Sequence, residues 1–152
     1  MPRFELVTVV SASPASVFAA CLDVDAHTLS MGASGERAVA GTTNGRLGPG
    51  QTVTWQARHF GVRWRMTVQI IEYESPRRFV DEQISGPFRR WRHEHVLTSD
   101  PDDPATTVMR DVVDFTAPAG PAGSVIGVVI LRPYLRRLIG RRNRFLAHSL
   151  AG

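Results

Sequence analysis

Two histidines and two aspartates lie on segments in which their side chains can meet. His93 and His95 are separated by one residue, so in an extended strand both imidazoles point to the same side. Asp81 lies two residues after Phe79 in the preceding segment, and Asp111 lies in the following one. Carboxylates and imidazoles in a cavity can orient the polar end of a ligand or transfer protons. The spacing predicts a polar cluster of these four residues, with His93 and Asp111 as the catalytic pair if the protein is an enzyme.

The same four residues allow two other interpretations. A buried network whose members pair with one another would fix the strand register without doing chemistry, because buried polar groups require hydrogen bonds. Two imidazoles on one side of a strand, with Asp111 or Asp81 as a third ligand, also occur in metal sites. No cysteine or third histidine stands at a telling spacing, so we expect no metal and no other cofactor.

Nucleophilic and nucleotide chemistry are disfavoured. The chain has no Gly-x-Ser-x-Gly motif, and Cys21 falls on the apolar stripe of a predicted helix, where a thiol is usually inert. The glycine-rich segment from Gly45 to Gly50 lacks the Gly-Lys-Ser/Thr ending of a phosphate loop and precedes a strand. We expect neither a serine or thiol nucleophile nor a nucleotide site of this kind.

Alternating residues predict an α+β protein built on a long antiparallel sheet. Phe4 to Val10 alternates as a first strand, and two short helices follow, one beginning at Pro14 and one over Ala26 to Met31. A short strand is predicted at 36–40, and from Gln51 to Phe115 the chain alternates and breaks at turn residues. The predicted order is one strand, two short helices, six strands and one long helix.

The hairpin from Phe79 to Leu97 is the most informative stretch. Period-two geometry places Asp81 and Gln83 on the side of Phe79, and His93 and His95 on the side of Trp91. If the two aromatic residues point inward, the polar ones do as well, and an ordinary apolar core does not accommodate them. Either these polar groups satisfy each other or they face a cavity. Trp55, Trp64 and Met66 on neighbouring strands likewise fill the core or line an apolar cavity.

Residues from Ala122 to Leu150 predict one long C-terminal helix, with a bend near Val129 to Pro133 because proline removes a helical hydrogen bond. The helix must cover the sheet. Its arginines predict a basic face that is either solvated or docks on an anionic membrane surface. No aromatic platform accompanies the charge, so we expect no specific nucleic-acid binding. The arginines are Arg132, Arg136, Arg137, Arg141, Arg142 and Arg144.

Composition indicates a single cytoplasmic domain. The 152 residues suffice for one core, and we assign residues 1–152 to one domain. All 18 basic residues are arginine, against 14 acidic residues, a bias that genome composition explains better than chemistry does. A single cysteine fits a reducing compartment. The apolar run from Ala122 to Leu131 is about half of the roughly 20 residues that a transmembrane helix needs.

Two segments carry a resemblance to a known family. They are Pro76 to His95, and Leu131 to Arg137 with Arg141, Arg142 and Asn143. Together with the element order, they resemble the START-like or SRPBCC superfamily, in its polyketide cyclase/dehydratase-like branch. The resemblance implies a helix-grip fold, in which a curved antiparallel sheet of about seven strands wraps around a long C-terminal helix after two short helices. It also implies a hydrophobic cavity for apolar or amphiphilic molecules, as in lipid-binding members.

Two functional hypotheses follow. The first is binding of an apolar or aromatic small molecule, lipid-like or polyketide-like, between the sheet and the C-terminal helix. The second is a polyketide cyclase/dehydratase that uses His/Asp proton transfer in the same cavity. A third class, a module that binds a partner through the arginine helix, predicts salt-sensitive association. The predicted ligand-binding residues are Trp55, Trp64, Met66, Phe79, Asp81, Gln83, Trp91, His93, His95, Asp111 and Phe115.

Overall fold

The computed structural model describes residues 3–118 and 120–151. Its described strands form one seven-stranded antiparallel sheet, which is curved and open. Strands β2 to β7 follow one another as a meander, and β1 adds to the free edge of β7. The strands are β1 (Arg3–Val10), β2 (Arg37–Gly41), β3 (Thr52–His59), β4 (Val62–Glu74), β5 (Arg78–Ser85), β6 (Arg90–Asp100) and β7 (Asp103–Thr116).

Two short helices, α1 (Pro14–Leu22) and α2 (Val24–Ser30), connect β1 to β2. Ser13 caps α1, because its side chain accepts a hydrogen bond from the Ser16 N–H, and Pro14 occupies the first turn. Asp23 ends α1 and caps α2, accepting from the Ala26 N–H at 2.9 Å. The predicted pair of short helices is confirmed, and one aspartate accounts for both the break and the restart.

The C-terminal helix has an irregular turn just before its proline. Helix α3 (Gly120–Ile126) continues through a π-helical turn (Gly127–Leu131) into α4 (Arg132–Ala151). Within this turn the Arg132 N–H donates to the Gly127 carbonyl, in the five-residue pattern of a π-helix. Pro133 has no N–H to donate, so the regular helical pattern cannot run through this point. The sequence predicts a bend near Val129 to Pro133; at this place the structure has a π-helical turn, directly before Pro133.

The core lies between the inner face of the sheet and the helices. Phe79 and Trp91 are 2% and 9% exposed, so the inward orientation predicted for the hairpin is confirmed. Phe18 on α1 packs edge-on against the Phe79 ring, with centroids 5.5 Å apart, and Ile139 and Leu146 of α4 are buried. The predicted α+β architecture, a sheet around a terminal helix, is confirmed. None of the helices in the described ranges is both long enough and apolar enough to cross a bilayer.

Candidate functional site: a charged network on the wall of an apolar cavity

A cavity of about 340 Å³ lies between the inner face of the sheet, helices α1 and α2, and α4. Strands β3 to β6 form one wall and α4 forms the opposite wall. The lining is predominantly apolar and is rich in aromatic rings. Large apolar residues in the lining are Trp55, Phe60, Trp64, Met66, Ile70, Phe79, Phe88, Trp91, Leu131, Leu135, Leu138 and Ile139.

Eight of the eleven predicted site residues line this cavity: Trp55, Trp64, Met66, Phe79, Asp81, Trp91, His93 and His95. The other three, Gln83, Asp111 and Phe115, are not among the lining residues. Asp111 and Phe115 are fully buried behind the wall. The Gln83 side chain instead holds the β5–β6 loop, because its amide nitrogen donates to the Phe88 carbonyl at 2.6 Å and its oxygen accepts from the Phe88 N–H at 3.3 Å.

Asp111 is the centre of a buried hydrogen-bond network. One carboxylate oxygen pairs with His93 Nε2 at 2.8 Å and accepts from an Arg142 Nη2 at 3.0 Å. The other oxygen accepts from Asn143 Nδ2 at 2.7 Å. The sheet register places Asp111 directly opposite His95 on the neighbouring strand, and α4 brings Arg142 and Asn143 from the other side. The network therefore joins the sheet to the terminal helix.

A second imidazole–carboxylate pair adjoins the first. His95 Nε2 lies 3.0 Å from an Asp81 oxygen, and Trp91 Nε1 donates to the other Asp81 oxygen at 3.4 Å. The His93 and His95 rings stack with centroids 3.7 Å apart, and Phe79 stacks on His95 at 3.9 Å. His95 Nδ1 lies 3.3 Å from Asp111, yet it is the only buried side-chain polar atom in the described part of the chain with no hydrogen-bond partner. The four predicted cluster residues are thus brought together.

The surroundings set the charge states of this network. Burial alone would raise the pKa of Asp111, but the Arg142 guanidinium and the hydrogen bond to His93 hold it well below its ordinary value. Burial would likewise raise the pKa of Asp81, and the hydrogen bond to His95 lowers it. Burial, assisted by the charge of neighbouring His95, lowers the pKa of His93 to about 4. At neutral pH the network therefore carries two carboxylates, one guanidinium and a neutral His93, and of the two carboxylates only Asp81 lines the cavity.

Three of these residues could hold a metal ion. Asp81, His93 and His95 each offer one ligand atom, and these atoms all lie within 4.8 Å of one another. Two imidazole nitrogens and a carboxylate oxygen suit Zn²⁺. The hydrogen bonds of His93 and His95 to the two aspartates account for the same ring positions, and the expectation of no metal stays a prediction.

The predicted basic face of the terminal helix was wrong for one residue, Arg142. It is 5% exposed and faces the sheet, whereas the other five arginines of this face are exposed or partly exposed, so the solvated face does not include it. The signal was its spacing: Arg142 follows Leu135 and Ile139 on the stripe that continues to Leu146. A charged residue on an apolar stripe requires a buried partner, and Asp111 is that partner.

Polar residues away from the predicted cluster also line the cavity: His27, Glu36, His59 and Tyr134. No spacing in the sequence connects them, because they come from four different elements or connections. Cys21 lines the cavity as well, and its thiol donates to the Met109 sulfur at 3.5 Å. Burial raises the pKa of this thiol to about 12, which favours the inert role expected for it.

Solved structures share this fold at low sequence identity. The aromatase/cyclase ZhuI from Streptomyces sp. R1128 is 14% identical with a TM-score of 0.77, over 98% of this chain and 93% of that one. The protein TTHA0849 from Thermus thermophilus is 14% identical with a TM-score of 0.74, over 97% and 99%. A START superfamily protein from Mycobacterium smegmatis is 15% identical with a TM-score of 0.66, over 99% and 94%.

No curated protein matches the sequence. The family model described as polyketide cyclase/dehydrase and lipid transport matches residues 1–150, which is nearly the whole chain. The helix-grip architecture and the cavity between sheet and terminal helix agree with this match. The chain belongs to the polyketide cyclase/dehydrase and lipid transport family.

Proposed function

We propose that the protein binds a neutral apolar or aromatic small molecule in the cavity between the sheet and α4. The observation that carries this proposal is a cavity of about 340 Å³ whose largely apolar wall ends on a buried, ionised network. Filled cores rarely contain voids larger than a water molecule, whereas ligand cavities combine apolar walls with a few placed polar groups. Affinity would come from apolar burial, and selectivity from the polar groups.

The charges of the network define the polar end of the ligand. Asp81 lines the cavity and is ionised, and the Arg142 guanidinium is already engaged by Asp111 at 3.0 Å. A ligand carboxylate would therefore meet an acidic wall and would be disfavoured. A hydroxyl or phenol can donate to Asp81 without adding charge. We accordingly expect alcohols, phenols and hydroxylated polyketide-like or lipid-like molecules rather than fatty-acid anions.

A neutral fluorescent probe tests the binding proposal directly. N-phenyl-1-naphthylamine has no charge and is small enough for the cavity, and its emission rises in apolar surroundings. We expect saturable binding to the wild type, and about ten-fold or weaker affinity in Ala57→Phe, because Ala57 lines the cavity and a benzyl side chain would occupy it. The matched control is Ala105→Phe at an exposed position of β7, which should bind as the wild type does.

Native mass spectrometry and solvent extraction of the purified protein complete the test, since a carried ligand would appear as a defined mass. Absence of saturable probe binding in a folded wild-type protein would overturn the proposal. Equal affinity in the wild type and Ala57→Phe would show that the probe binds elsewhere, which overturns it as well.

The second candidate function is a polyketide cyclase/dehydratase that uses His/Asp proton transfer. Two adjacent imidazole–carboxylate pairs favour it, since dehydration needs one group to take a proton from carbon and another to protonate the departing hydroxyl. A His93 pKa of about 4 makes that imidazole a weak base, which is why simple binding ranks first.

Variants of the first pair separate the two functions. If the protein is an enzyme, His93→Ala and Asp111→Asn abolish conversion of a polyketide-like thioester while the fold and probe binding persist. If it is a carrier, the same variants change ligand affinity and no turnover is found in the wild type. Product analysis by liquid chromatography with mass spectrometry, run beside the probe titration, distinguishes the outcomes.

We also propose that the terminal helix contacts an anionic membrane, as a lipid-exchanging protein would need. The apolar ridge, defined here as Val125, Ile126, Val128, Val129 and Ile130, is 43% to 66% exposed along α3 and the π-helical turn. Arginines follow it directly, and there is no acidic residue after Asp114. An exposed apolar ridge beside cationic residues fits insertion at an anionic interface.

Vesicle sedimentation tests this contact. We expect binding to vesicles of phosphatidylglycerol and phosphatidylcholine, little binding to phosphatidylcholine alone, and strong loss in Val129→Asp. The control is Val7→Asp on β1, which changes an equally exposed valine, at 64% against 66%, that is not part of the ridge. Binding that is the same in both variants, or indifferent to lipid charge, would refute the contact.

A further inference from the structure

A second set of polar residues lies in the same cavity, away from the Asp111 network. His27 Nε2 pairs with a Glu36 oxygen at 2.7 Å, and His59 Nδ1 pairs with the Tyr134 hydroxyl at 2.6 Å. All four residues line the cavity. They come from α2, the residue before β2, the end of β3 and the start of α4, so the fold assembles them from distant parts of the chain.

The two pairs are neighbours in space. Arg37 pairs with Gln56 in the β2–β3 ladder, which places Glu36 level with Ala57, two residues before His59 and on the same face of β3. Burial lowers the pKa of His59 and raises that of Tyr134, and the Glu36 carboxylate acts electrostatically on both groups. The His27 ring packs against Trp55 with centroids 4.2 Å apart and the ring planes tilted by 35°, which fixes its position beside the apolar wall.

These residues lie at the opposite end of the cavity from the Asp111 network. Asp81 pairs with Ile70 on β4, next to the Gln69–Thr52 pair between β4 and β3. His59 ends β3 seven residues beyond Thr52, which is about 23 Å along a strand. Apolar residues, Met66 and Val68 among them, line the cavity between the two ends.

One carboxylate oxygen of Glu36 is available to accept a hydrogen bond from a ligand. Its side chain is 9% exposed, and His27 engages one of its two oxygens. No hydrogen bond is found for the other oxygen among the residues that the structure describes. A nearly buried carboxylate gains most from a neutral donor such as a hydroxyl, since an anion would be repelled and an apolar group would leave the oxygen unsatisfied.

We infer that Glu36, His27, His59 and Tyr134 form a second hydroxyl-binding subsite, so that the ligand is an elongated molecule with an apolar body and a hydroxyl or phenol at each end. This inference rests on the proposed ligand-binding function of the cavity. It narrows the ligand class from any apolar molecule to two-ended, neutral, hydroxylated ones. Molecules with a single polar end would use only one of the two subsites.

Matched alcohols test the subsite. The probes are 1-dodecanol with 1,12-dodecanediol, and 1-hexadecanol with 1,16-hexadecanediol, each measured by displacement of N-phenyl-1-naphthylamine. We expect at least one diol to bind about ten-fold more tightly than its mono-alcohol, because it adds one hydrogen bond to a charged, nearly buried acceptor. In Glu36→Gln and Tyr134→Phe this ratio should fall towards one.

Two control variants make the same chemical changes outside the cavity. Glu82→Gln alters a β5 carboxylate that does not line it, and Tyr73→Phe alters a partly exposed β4 tyrosine. Both should keep the wild-type ratio. Equal affinity of diols and mono-alcohols in the wild type, or a ratio that survives in Glu36→Gln, would overturn the subsite while leaving binding in the cavity intact. Failure of every alcohol to displace the probe would overturn the subsite, and failure of the probe itself to bind would overturn the proposed function.

Discussion

Replacing Arg142 by methionine tests whether the buried network is electrostatically balanced. Asp111 is fully buried, and Arg142 is the cation that contacts it, at 3.0 Å. Methionine fills similar space but leaves the carboxylate without its positive partner. Removing one member of a buried ion pair costs about 3–5 kcal/mol, because the remaining charge is neither solvated nor compensated. We expect Arg142→Met to lose that much unfolding free energy at pH 7.

The loss should depend on pH in a defined direction. Without Arg142, burial raises the pKa of Asp111 above its unfolded value, so the folded variant binds a proton that the unfolded chain releases. Stability of the variant relative to the wild type therefore falls as the pH rises, and the deficit is smaller at pH 5 than at pH 7. Adding Asp111→Asn removes the charge and should recover about half of the loss.

Urea unfolding followed by tryptophan fluorescence measures these differences, with m-values checked for equality. The matched control is Arg141→Met, which changes the exposed neighbouring arginine and should cost less than about 0.5 kcal/mol. The reasoning fails if Arg142→Met costs no more than this control. It also fails if the losses from Arg142→Met and Asp111→Asn simply add in the double variant.

Three further predictions concern acid stability, thiol reactivity and a tight strand contact. The pKa of His93 is about 4 in the folded protein against roughly 6.5 when unfolded, so falling pH favours the unfolded chain, and roughly 3 kcal/mol of unfolding free energy should be lost between pH 6.5 and 4. In urea titrations across that range, His93→Gln should lose correspondingly less unfolding free energy, and an unchanged acid sensitivity would contradict the low pKa of His93. Cys21, with a pKa of about 12, should react with iodoacetamide at pH 8 about a thousand-fold more slowly than free cysteine, until urea unfolds the chain. Rapid alkylation of the native protein would contradict this raised pKa. Gly41→Ala should lower the unfolding free energy by at least about 1 kcal/mol more than Gly45→Ala does. Both glycines have φ near +70°, but only at Gly41 would the added methyl group meet the Thr52 carbonyl, at 2.5 Å. Equal melting temperatures for the two variants would contradict this steric cost.

The strands were predictable because alternation reports directly which side of a sheet a residue faces. The hairpin pattern placed Phe79 and Trp91 inward, and with them Asp81, His93 and His95. This inference needs only local geometry, and it identified most of one cavity wall. The irregular turn near Pro133 was predictable for the same reason, since a missing N–H is a local property.

Residues that reach the cavity from other elements could not be found by local pattern. Gln83 lies on the same side of β5 as Phe79 and Asp81, but its amide binds the Phe88 backbone. The alternation of a strand therefore cannot distinguish a residue that lines the cavity from one that lies beside it. Asp111 lies behind the wall, where Arg142 of α4 contacts it, and these two residues are 31 positions apart in the chain. The pairing of His59 with Tyr134 likewise depends on how α4 is seated against the sheet, which no spacing in the chain specifies.

The π-helical turn separates α3, which carries exposed apolar residues, from α4, which packs against the sheet. Such a turn amounts to a one-residue insertion in an α-helix, in which each residue advances the azimuth by about 100°. Deleting one residue from positions 127–130 would leave α4, with Ile139 and Arg142, packed against the sheet, but would rotate α3 by about 100° around the common axis. A change of one codon would thus redirect the outward-facing valines and isoleucines without altering the chemistry of the cavity wall.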